Sequence, residues 1–294
     1  MHNPFELPGS FLKGSLHTHT TNSDGKLTPQ QAVDLYRGAG YGFLALTDHR
    51  RLTPFADLDA AGLVMLPGME LHPGTGELGQ THHIVAIGMD EEIVVPEGMD
   101  LPAALEVIAP RSRFVFIAHP YWTSLTYADI LGLKGHIGIE VFNFTCECGI
   151  GRGDSGVHWD ELLARGERPF GFAVDDAHSH YPDTLGGWVM VKAEDGTPSG
   201  IIEAILAGSF YASSGPTIEG VTFEGDHVTV RCSPCQAVHV ICPAAGCGST
   251  TYHLAESGPY TEVSLYSSPD WNPIRIECVD ERGRKAWTNP FWRA

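Results

Sequence analysis

This sequence is short of basic residues and of long apolar runs. It has 18 Lys and Arg against 36 Asp and Glu, which gives a formal net charge of −18 with His neutral. A surface this acidic repels polyanions, which disfavours a protein that coats long nucleic acid or docks on a membrane surface. No apolar run reaches the roughly 18 residues that a transmembrane helix needs, so we expect no membrane span.

Signals for secretion are also lacking. The opening residues, MHNPFELPGSFLKG, contain neither the basic region nor the apolar stretch that starts a signal peptide. The seven Cys are an odd number, and in a chain without a secretory signal we expect reduced thiols rather than a disulfide framework. Both observations predict a cytoplasmic protein.

The chain does have the length and apolar content for a large core. Its 294 residues are 43% hydrophobic, which fits a barrel-sized domain with an appendage. Short apolar runs alternate with helical patterns over the first two-thirds, which predicts βα units and a mostly parallel sheet. The predicted strands are residues 13–19, 41–49, 62–70, 81–89, 113–120, 136–144 and 168–176.

Helix signals stand between several of these strands. Thr28 can cap a helix that Pro29 begins, Gln31 completes a capping box, and Gly40 can end the helix. Further helices are predicted at residues 101–109, 126–134, 156–166 and 199–208.

The sequence pattern changes after residue 210. Residues 213–216, SSGP, are typical of a turn. Alternating segments follow, as in antiparallel strands, at residues 221–232, 237–242 and 272–289. We therefore predict a first domain over residues 1–212 and a small antiparallel β-domain over residues 213–294.

Histidine is concentrated in the first part of the chain. Twelve of the 15 His lie in residues 1–180, and metal binding is the commonest reason to concentrate imidazoles. His17 and His19 are two apart on a predicted strand, so their side chains share a face and can meet one ion. Asp24 follows in a turn-like SDG tripeptide that can bring its carboxylate to the same place.

Polar, metal-capable residues recur where successive predicted strands end. In α/β barrels the carboxyl ends of the strands form the edge at which active sites are built. Each residue alone could be an ordinary polar strand end, so it is their recurrence at six strands that indicates a site. The residues in this pattern are His17, His19, Asp48, His49, Glu70, His119, Glu140, Asp175, Asp176 and His178.

Seven motifs carry these residues in order: HTHTTNSDG (17–25), LTDH (46–49), GMEL (68–71), HHIVAIG (82–88), AHP (118–120), GIEVFN (138–143) and DDAHS (175–179). Together they resemble the polymerase and histidinol phosphatase (PHP) superfamily, over residues 13–210. The resemblance implies an α/β fold with a distorted (βα)7 barrel of PHP type, here followed by the small antiparallel β-domain. It also implies hydrolysis of phosphate esters with divalent metal ions.

The resemblance further implies which side chains hold two or three ions. The implied ligands of the first ion are His17, His19, Glu70 and Asp176. Glu70 would bridge to a second ion, whose other implied ligands are His83 and His119. The implied ligands of a third ion, in a trinuclear site, are Asp24, His49 and His178. The implied catalytic residues are Asp176, Glu70 and His178.

Two details of this ligand set follow from the residue types. His82 and His83 lie on opposite faces of a strand, so only one is expected as a ligand, and the family pattern favours His83. Imidazole and carboxylate ligands without a thiolate suit zinc, manganese or iron rather than calcium or magnesium.

Basic and amide side chains in the nearby loops are candidates for substrate binding. They are Arg50, Arg152, Lys192 and Asn143. Arg152 is the best placed of them because it lies in a Gly-rich loop after the sixth predicted strand. For the three basic residues, ordinary solvent-exposed charge is the alternative interpretation.

Four cysteines form two close pairs, CSPC (232–235) and CPAAGC (242–247). They resemble a zinc ribbon, but the six residues between the pairs are fewer than the ~12–20 that such sites use. We therefore expect buried thiols here rather than a structural zinc ion.

The sequence thus predicts a metal-dependent phosphoesterase in which a metal-activated hydroxide attacks a small phosphorylated substrate, a phosphomonoester or a nucleotide. Three alternatives stay open: an exonuclease on short oligonucleotides, a non-catalytic metal-binding module, and a metal-dependent amidohydrolase. The sequence predicts no particular oligomeric state.

Overall fold

The computed structural model describes residues 1–244, 249–253 and 258–293. This part of the chain has a mixed α/β fold with one large sheet and one small antiparallel sheet. The α-helices are α1 (Pro29–Gly38), α2 (Leu101–Ile108), α3 (Tyr127–Ile130), α4 (Phe144–Ile150), α5 (Gly156–Ala164) and α6 (Pro198–Leu206). None of these six helices combines the length and the apolar character that crossing a membrane requires.

Sixteen strands are present in the described residues. The first nine are β1 (Ser10–Ser15), β2 (Phe43–Leu46), β3 (Val64–Leu71), β4 (Ile84–Ile87), β5 (Phe114–Ile117), β6 (Gly138–Asn143), β7 (Phe170–Val174), β8 (Trp188–Ala193) and β9 (Phe210–Ser213). The others are β10 (Ile218–Glu224), β11 (His227–Cys235), β12 (Ala237–Ile241), β13 (Ser249–His253), β14 (Tyr260–Tyr266), β15 (Arg275–Val279) and β16 (Lys285–Thr288). All seven predicted strands of the first part are present, and each is shorter than predicted. Strand β1 begins three residues before its predicted start, and β3 ends one residue after its predicted end.

Helix α1 begins and ends as its sequence predicts. The Thr28 hydroxyl accepts a hydrogen bond from Gln31 N, and Gln31 Oε1 accepts one from Thr28 N, which completes the capping box. Gly40, just past the helix, has a φ of 78°, a left-handed conformation that glycine adopts without steric cost. The helix buries Val33 and Tyr36 against the strand layer.

The large sheet follows chain order through its first seven strands. β1, β2 and β3 pair in parallel, and so do β5, β6 and β7. Strand β4 departs from this arrangement because it runs antiparallel to both β3 and β5. The chain reaches β4 from β3 through the loop 72–83 without a crossover helix, and such a direct return gives an antiparallel pair.

Backbone hydrogen bonds join the chain beyond β1 to the chain beyond β7. Asp176 N donates to His17 O at 3.0 Å, and His19 N donates to Ala177 O at 2.9 Å. Thr18 and Ala177 form a parallel bridge between these bonds. The residues that follow the first and the seventh strand therefore lie side by side.

The C-terminal strands divide between the two sheets. β10, β11 and β14 form the small sheet, whereas β12, β13, β15 and β16 extend the large one. The junction is antiparallel pairing of β16 with residues 211–213 of β9. The predicted domain boundary at residue 212 thus falls within a strand that binds the C-terminal region, and the division into two domains stays a prediction.

One apolar core cluster combines side chains from the first strands of the large sheet with others from β8, β9 and α6. Leu16, Phe43, Phe116 and Phe172 are all fully buried in it, and the rings of Phe116 and Phe172 stack with centroids 4.6 Å apart. Burying each such side chain contributes roughly 1.5–3 kcal/mol. Polar residues replace apolar ones where these strands end, so the core supports the polar side chains from one side.

A buried ion pair connects the C-terminal strand β15 to helix α5. Arg275 is 3% exposed, and its Nε and Nη2 lie 2.7 and 2.8 Å from the two carboxylate oxygens of Asp160. Its Nη1 lies 3.2 Å from Glu277. Because the guanidinium is shielded from water, these two carboxylates are what stabilises its positive charge.

Asp160→Ala is expected to lower the free energy of unfolding by roughly 3 kcal/mol, because it removes the two-pronged partner of a buried charge. Urea denaturation followed by circular dichroism measures the change. The control is Asp34→Ala, which removes the partner of Arg37 in an exposed pair and should cost less than about 1 kcal/mol. An unchanged unfolding midpoint for Asp160→Ala would contradict this role of the ion pair.

Candidate metal centre

The polar side chains that the sequence indicates converge at the carboxyl ends of the strands. His17 and His19 follow β1, Glu70 lies near the end of β3, His119 follows β5 and Asp176 follows β7. All five are buried. The apolar strands therefore end in one polar cluster, which we call the rim cluster. Its other members are Asp24, His49, His72, His83 and His178.

Four of these side chains form a first group of donor atoms. His17, His19, Glu70 and Asp176 each offer one ligand atom, and the four atoms lie within 4.8 Å of one another. Asp176 Oδ1 is 2.9 Å from His19 Nε2 and 3.2 Å from His17 Nε2. This is the group that the family resemblance implies for the first ion.

Glu70 also belongs to a second group, with His83 and His119. Its Oε1 lies 2.8 Å from His83 Nδ1 and 3.3 Å from His119 Nε2. His82 points elsewhere, with its Nδ1 3.2 Å from the carbonyl oxygen of Pro73. The structure thus brings His83, and not His82, to the rim cluster.

A third group combines His19, Asp24, His49 and His178. Asp24 Oδ2 is 3.3 Å from His49 Nε2 and 3.5 Å from His178 Nε2. All nine side chains expected as metal ligands are therefore within three overlapping groups of donors.

His72 joins the rim cluster although the sequence interpretation passed over it. It forms a further group of donors with His49 and Glu70, and its Nε2 lies 2.8 Å from His49 Nδ1. The signal was available, because residues 70 and 72 are two apart at the end of a strand and so share a face.

The charges of the rim cluster keep its carboxylates ionised, and those carboxylates raise the pKa of His17 against the effect of its burial. Burial alone would raise the pKa of Asp176, but His17 and His19 hold that pKa well below its usual range. Burial opposes ionisation of Glu70 in the same way, and His83 and His17 lower its pKa. Burial lowers the pKa of His83 to about 4. At neutral pH the carboxylates are therefore ionised, and the His83 imidazole is neutral with a free lone pair.

One buried oxygen tests whether a metal ion suits these residues. Glu70 Oε2 lies 2.7 Å from His49 Nδ1 and 3.4 Å from both His17 Nε2 and His19 Nε2, yet none of these contacts has the geometry of a hydrogen bond. A buried carboxylate oxygen without a hydrogen bond is costly. A cation between this oxygen and the imidazole nitrogens would satisfy all of them, so the donor set fits a divalent metal.

Two residues of the rim cluster have strained backbones. His119 has a φ of 28° and Asp176 a φ of 55°, in the left-handed region that non-glycine residues rarely adopt. Such conformations persist only where the surrounding structure enforces them, and they concentrate at functional sites.

Glu140 holds the cluster from behind. Its Oε1 lies 2.7 Å from His17 Nδ1, and its Oε2 accepts hydrogen bonds from His119 N at 2.7 Å and Asn143 Nδ2 at 2.9 Å. A carboxylate on the far ring nitrogen fixes the orientation of a ligating imidazole. Glu140 therefore aims His17 Nε2 at the donor group.

Two other carboxylates at strand ends serve the loops instead. Asp48 accepts hydrogen bonds from Thr20 N at 2.7 Å and Ser23 Oγ at 2.7 Å. Asp175 accepts from Tyr36 Oη at 2.7 Å and from the backbone that follows β7. Each is saturated by donors that shape the loop beside the rim cluster, so neither is a free ligand.

A cavity of about 390 Å³ opens against the rim cluster. Its lining residues are Asp24, His49, Glu70, His83, His119, Trp122, Thr145, Cys146, Gly149, Ile150, Asp176, His178, His180 and Tyr181. Among the residues that the structure describes, this lining includes no Lys or Arg. An anionic ligand would therefore need cations bound in the rim cluster.

The four residues expected to bind substrate are not in the cavity wall. Arg50 is exposed, and Arg152 stacks over the Tyr121 ring at 5.4 Å. Lys192 pairs with Phe11 near the start of β1, at the opposite end of that strand from His17. Asn143 is fully buried behind the cluster, where its Nδ2 donates to Glu140 and Asp176.

The sequence did not indicate the aromatic side of the cavity. Trp122 and Tyr181 are 40% and 42% exposed, and both lie in the wall with Ile150. Trp122 also packs on His119, with ring centroids 5.0 Å apart. These residues lie in loops that carry no periodic pattern, so only the folded chain brings them together.

No known family model matches the chain, but two curated relatives match part of it. A 3',5'-nucleoside bisphosphate phosphatase from Chromobacterium violaceum is 38% identical over 79 residues, which are 26% of this chain and 27% of the relative. The 5'-3' exoribonuclease Rnm of Escherichia coli is 33% identical over 87 residues, 28% of each chain. The chain thus spans little more than a quarter of the length of these relatives.

A solved structure matches the fold over nearly the whole chain. It is a two-domain protein from Bacteroides vulgatus that contains a predicted PHP-like metal-dependent phosphoesterase, with a TM-score of 0.53, 17% identity and 99% of both chains covered. This likeness supports the fold that the resemblance to the PHP superfamily implies.

Glu140→Gln is expected to weaken metal binding by about 10- to 100-fold, because it weakens the contact that orients His17. Competition with a chromophoric chelator measures the affinity for Mn²⁺. Glu203→Gln is the control, since Glu203 is an exposed residue that pairs with Arg113 away from the rim cluster. If Glu140→Gln binds Mn²⁺ as tightly as the control, the positioning role is wrong.

Proposed function

We propose that this chain is a metal-dependent phosphoesterase that hydrolyses a small phosphate ester in the cavity beside the rim cluster. The observation that carries the proposal is the overlap of three groups of donors through two shared residues, Glu70 and His19. An isolated ion needs one such group. Overlapping groups would bring two or three ions close enough to act on one substrate.

We also propose the finer architecture that the family resemblance implies. Strands β1 to β7 would form a distorted (βα)7 barrel, and the bridge between Thr18 and Ala177 supports its closure. Residues 213–294 would form the second domain, as the sequence predicts.

The donor chemistry supports zinc, manganese or iron as the bound ions. His17, His19, Glu70 and Asp176 would hold the first ion, with His83 and His119 joining Glu70 at the second. Asp24, His49 and His178 would hold a third. When bound, such ions lower the pKa of water and offset the charge of a phosphate group.

The chain's own residues prepare this chemistry. Asp176 and Glu70 stay ionised because imidazoles surround them. His178 is oriented by the contact of its Nδ1 with the carbonyl oxygen of Asp176 at 2.8 Å, which leaves its Nε2 beside the Asp24 carboxylate at the cavity. We therefore assign Asp176, Glu70 and His178 as the catalytic residues, as the resemblance implies.

The aromatic wall favours a substrate with a flat apolar group. Trp122 and Tyr181 present partly exposed rings on which a nucleobase can stack. This favours a nucleotide over an aliphatic phosphomonoester. The same rings, together with the relative named as an exoribonuclease, support an exonuclease on short oligonucleotides as the second candidate.

Other properties predicted from the sequence stay predictions. They are the cytoplasmic location and the exclusion of long nucleic acid. The acidic net charge and the absence of basic residues from the described cavity wall support the second.

With Mn²⁺, the full chain is expected to release phosphate from one or more members of a panel of monoesters and nucleotides. Asp176→Ala and His19→Ala should each lower kcat by at least about 100-fold, because each removes a donor from the rim cluster. His227→Ala is the matched control, since His227 is an exposed histidine on the small sheet. Release of mononucleotides from labelled oligonucleotides at a higher rate would favour the exonuclease.

If protein that is shown to contain its metal turns over no substrate of a broad panel, the enzyme proposal is contradicted. The non-catalytic metal-binding module would then be the better interpretation. Protein that binds no Mn²⁺, Zn²⁺ or Fe²⁺ would contradict the metal site itself.

Trp122→Ala is expected to weaken nucleotide binding by about 1–3 kcal/mol, because it removes a stacking surface. In steady-state kinetics KM for a nucleotide should rise at least ~5-fold, with KM for an aliphatic phosphomonoester unchanged. Tyr266→Ala, an exposed aromatic on β14 outside the cavity, should change neither. An equal rise for both substrates would count against base stacking.

A further inference from the structure

Three cysteines outside the rim cluster meet between the small sheet and the C-terminal part of the large sheet. Cys232 and Cys235 lie on β11 of the small sheet, and Cys278 lies on β15 of the large sheet. Their sulfur atoms are within 4.8 Å of one another, and all three are buried and free of disulfide bonds. We call this group the thiol cluster.

A β-bulge turns both cysteines of β11 inward. Residues three apart on a regular strand point to opposite faces, and up to Cys232 the strand alternates exposed and buried residues in that way. The register with β14 then shifts between Arg231 and Cys235, which puts Cys235 on the same buried side as Cys232. A β-bulge of this kind re-aims a side chain and is typical of functional sites.

The third thiol comes from the facing sheet. Cys278 pairs with Val238 and Ala286 across the large sheet, and all three belong to the apolar cluster that Cys232 and Cys235 also join. The thiol cluster therefore bridges the two sheets. From the sequence, buried thiols are favoured over a zinc site at CSPC and CPAAGC. Residues 245–247 of CPAAGC lie outside the described residues, and Cys242 is disulfide-bonded, so the expectation of reduced thiols is wrong there. The structure places CSPC beside Cys278.

We propose that the thiol cluster is a binding site for one thiophilic metal ion, which links the small sheet to the large one. Thiolate sulfurs select Zn²⁺ and Cu⁺ among the available ions. Sulfurs bound about 2.3 Å from a common ion lie about 4 Å apart, which agrees with the observed limit of 4.8 Å. Each thiol would release its proton to solvent as its sulfur binds the ion.

The two ions differ in what they need besides the three sulfurs. Zn²⁺ takes four ligands, so a small exogenous ligand would complete its sphere. Cu⁺ accepts three thiolates alone. The ligand chemistry is shared, and the experiment separates the two ions.

The test uses the full reduced chain and Co²⁺ as a probe for zinc sites. One equivalent bound at the thiol cluster is expected to produce a sulfur-to-cobalt charge-transfer band in the near ultraviolet. The rim groups contain no sulfur ligand, so ions bound there give no such band, and failure of the proposed phosphoesterase activity would leave this result unaffected. Displacement of the band by Zn²⁺ identifies a zinc site. If Cu⁺ produces a sulfur-to-copper absorption band and Co²⁺ produces no sulfur-to-cobalt band, the site is a copper site.

Cys278→Ser should abolish the band, whereas Cys148→Ser, which removes an exposed thiol on α4, should keep it. Because a change in the core can impair folding, X-ray absorption of the unaltered chain loaded with Zn²⁺ or Cu⁺ gives a second measurement. It should show a shell of sulfur scatterers, at about 2.3 Å for Zn²⁺. Absence of sulfur bands with both ions, absence of that shell, or a band retained in folded Cys278→Ser would overturn the proposal.

Discussion

The carboxylate of Glu70 is the constraint on which the rim cluster depends. It is fully buried, and it belongs to three of the groups of donor atoms at the strand ends. A buried charge costs several kcal/mol unless opposite charge and hydrogen bonds offset that cost. The imidazoles of His17, His83 and His49 supply part of this compensation, and their arrangement leaves one carboxylate oxygen without a hydrogen bond. A bound cation would offset the remaining cost of this buried charge. The cluster is therefore unfavourable without metal and well suited to bind it.

Rigid supports make this arrangement possible at the end of a sheet. The apolar core fixes the strands, and the chain beyond each strand is held by carboxylates that do not reach the cavity. Glu140 orients His17, Asp48 shapes the loop after β1, and Asp175 shapes the loop after β7. Local donors saturate each supporting carboxylate. The acids at the strand ends therefore fall into two sets: those whose oxygens belong to the donor groups, and those that position neighbouring residues. The left-handed backbones of His119 and Asp176 are strained conformations that such supports maintain.

The electrostatic logic of the proposed reaction follows from the charge of the chain. With a net charge of −18 and a described cavity wall without Lys or Arg, the protein has little fixed positive charge of its own at the cavity to attract a phosphate. Bound ions would therefore hold the substrate as well as act on it, and affinity for substrate and for metal would be coupled. Trp122 and Tyr181 would supply the uncharged part of substrate recognition, which depends little on that electrostatic balance.

The sequence by itself determined the elements and most of the rim cluster. The caps of helix α1 depend on hydrogen bonds between residues three apart in the chain. The spacing of His17 and His19 reflects the period of a strand, which decides which side chains share a face. Only the tertiary structure decided which faces meet. The antiparallel course of β4, the burial of Asn143 behind the cluster and the distance of Lys192 from it all depend on long-range pairing. Cys278 meets Cys232 for the same reason: a bulge on one strand and the packing of two sheets join residues that no sequence period relates.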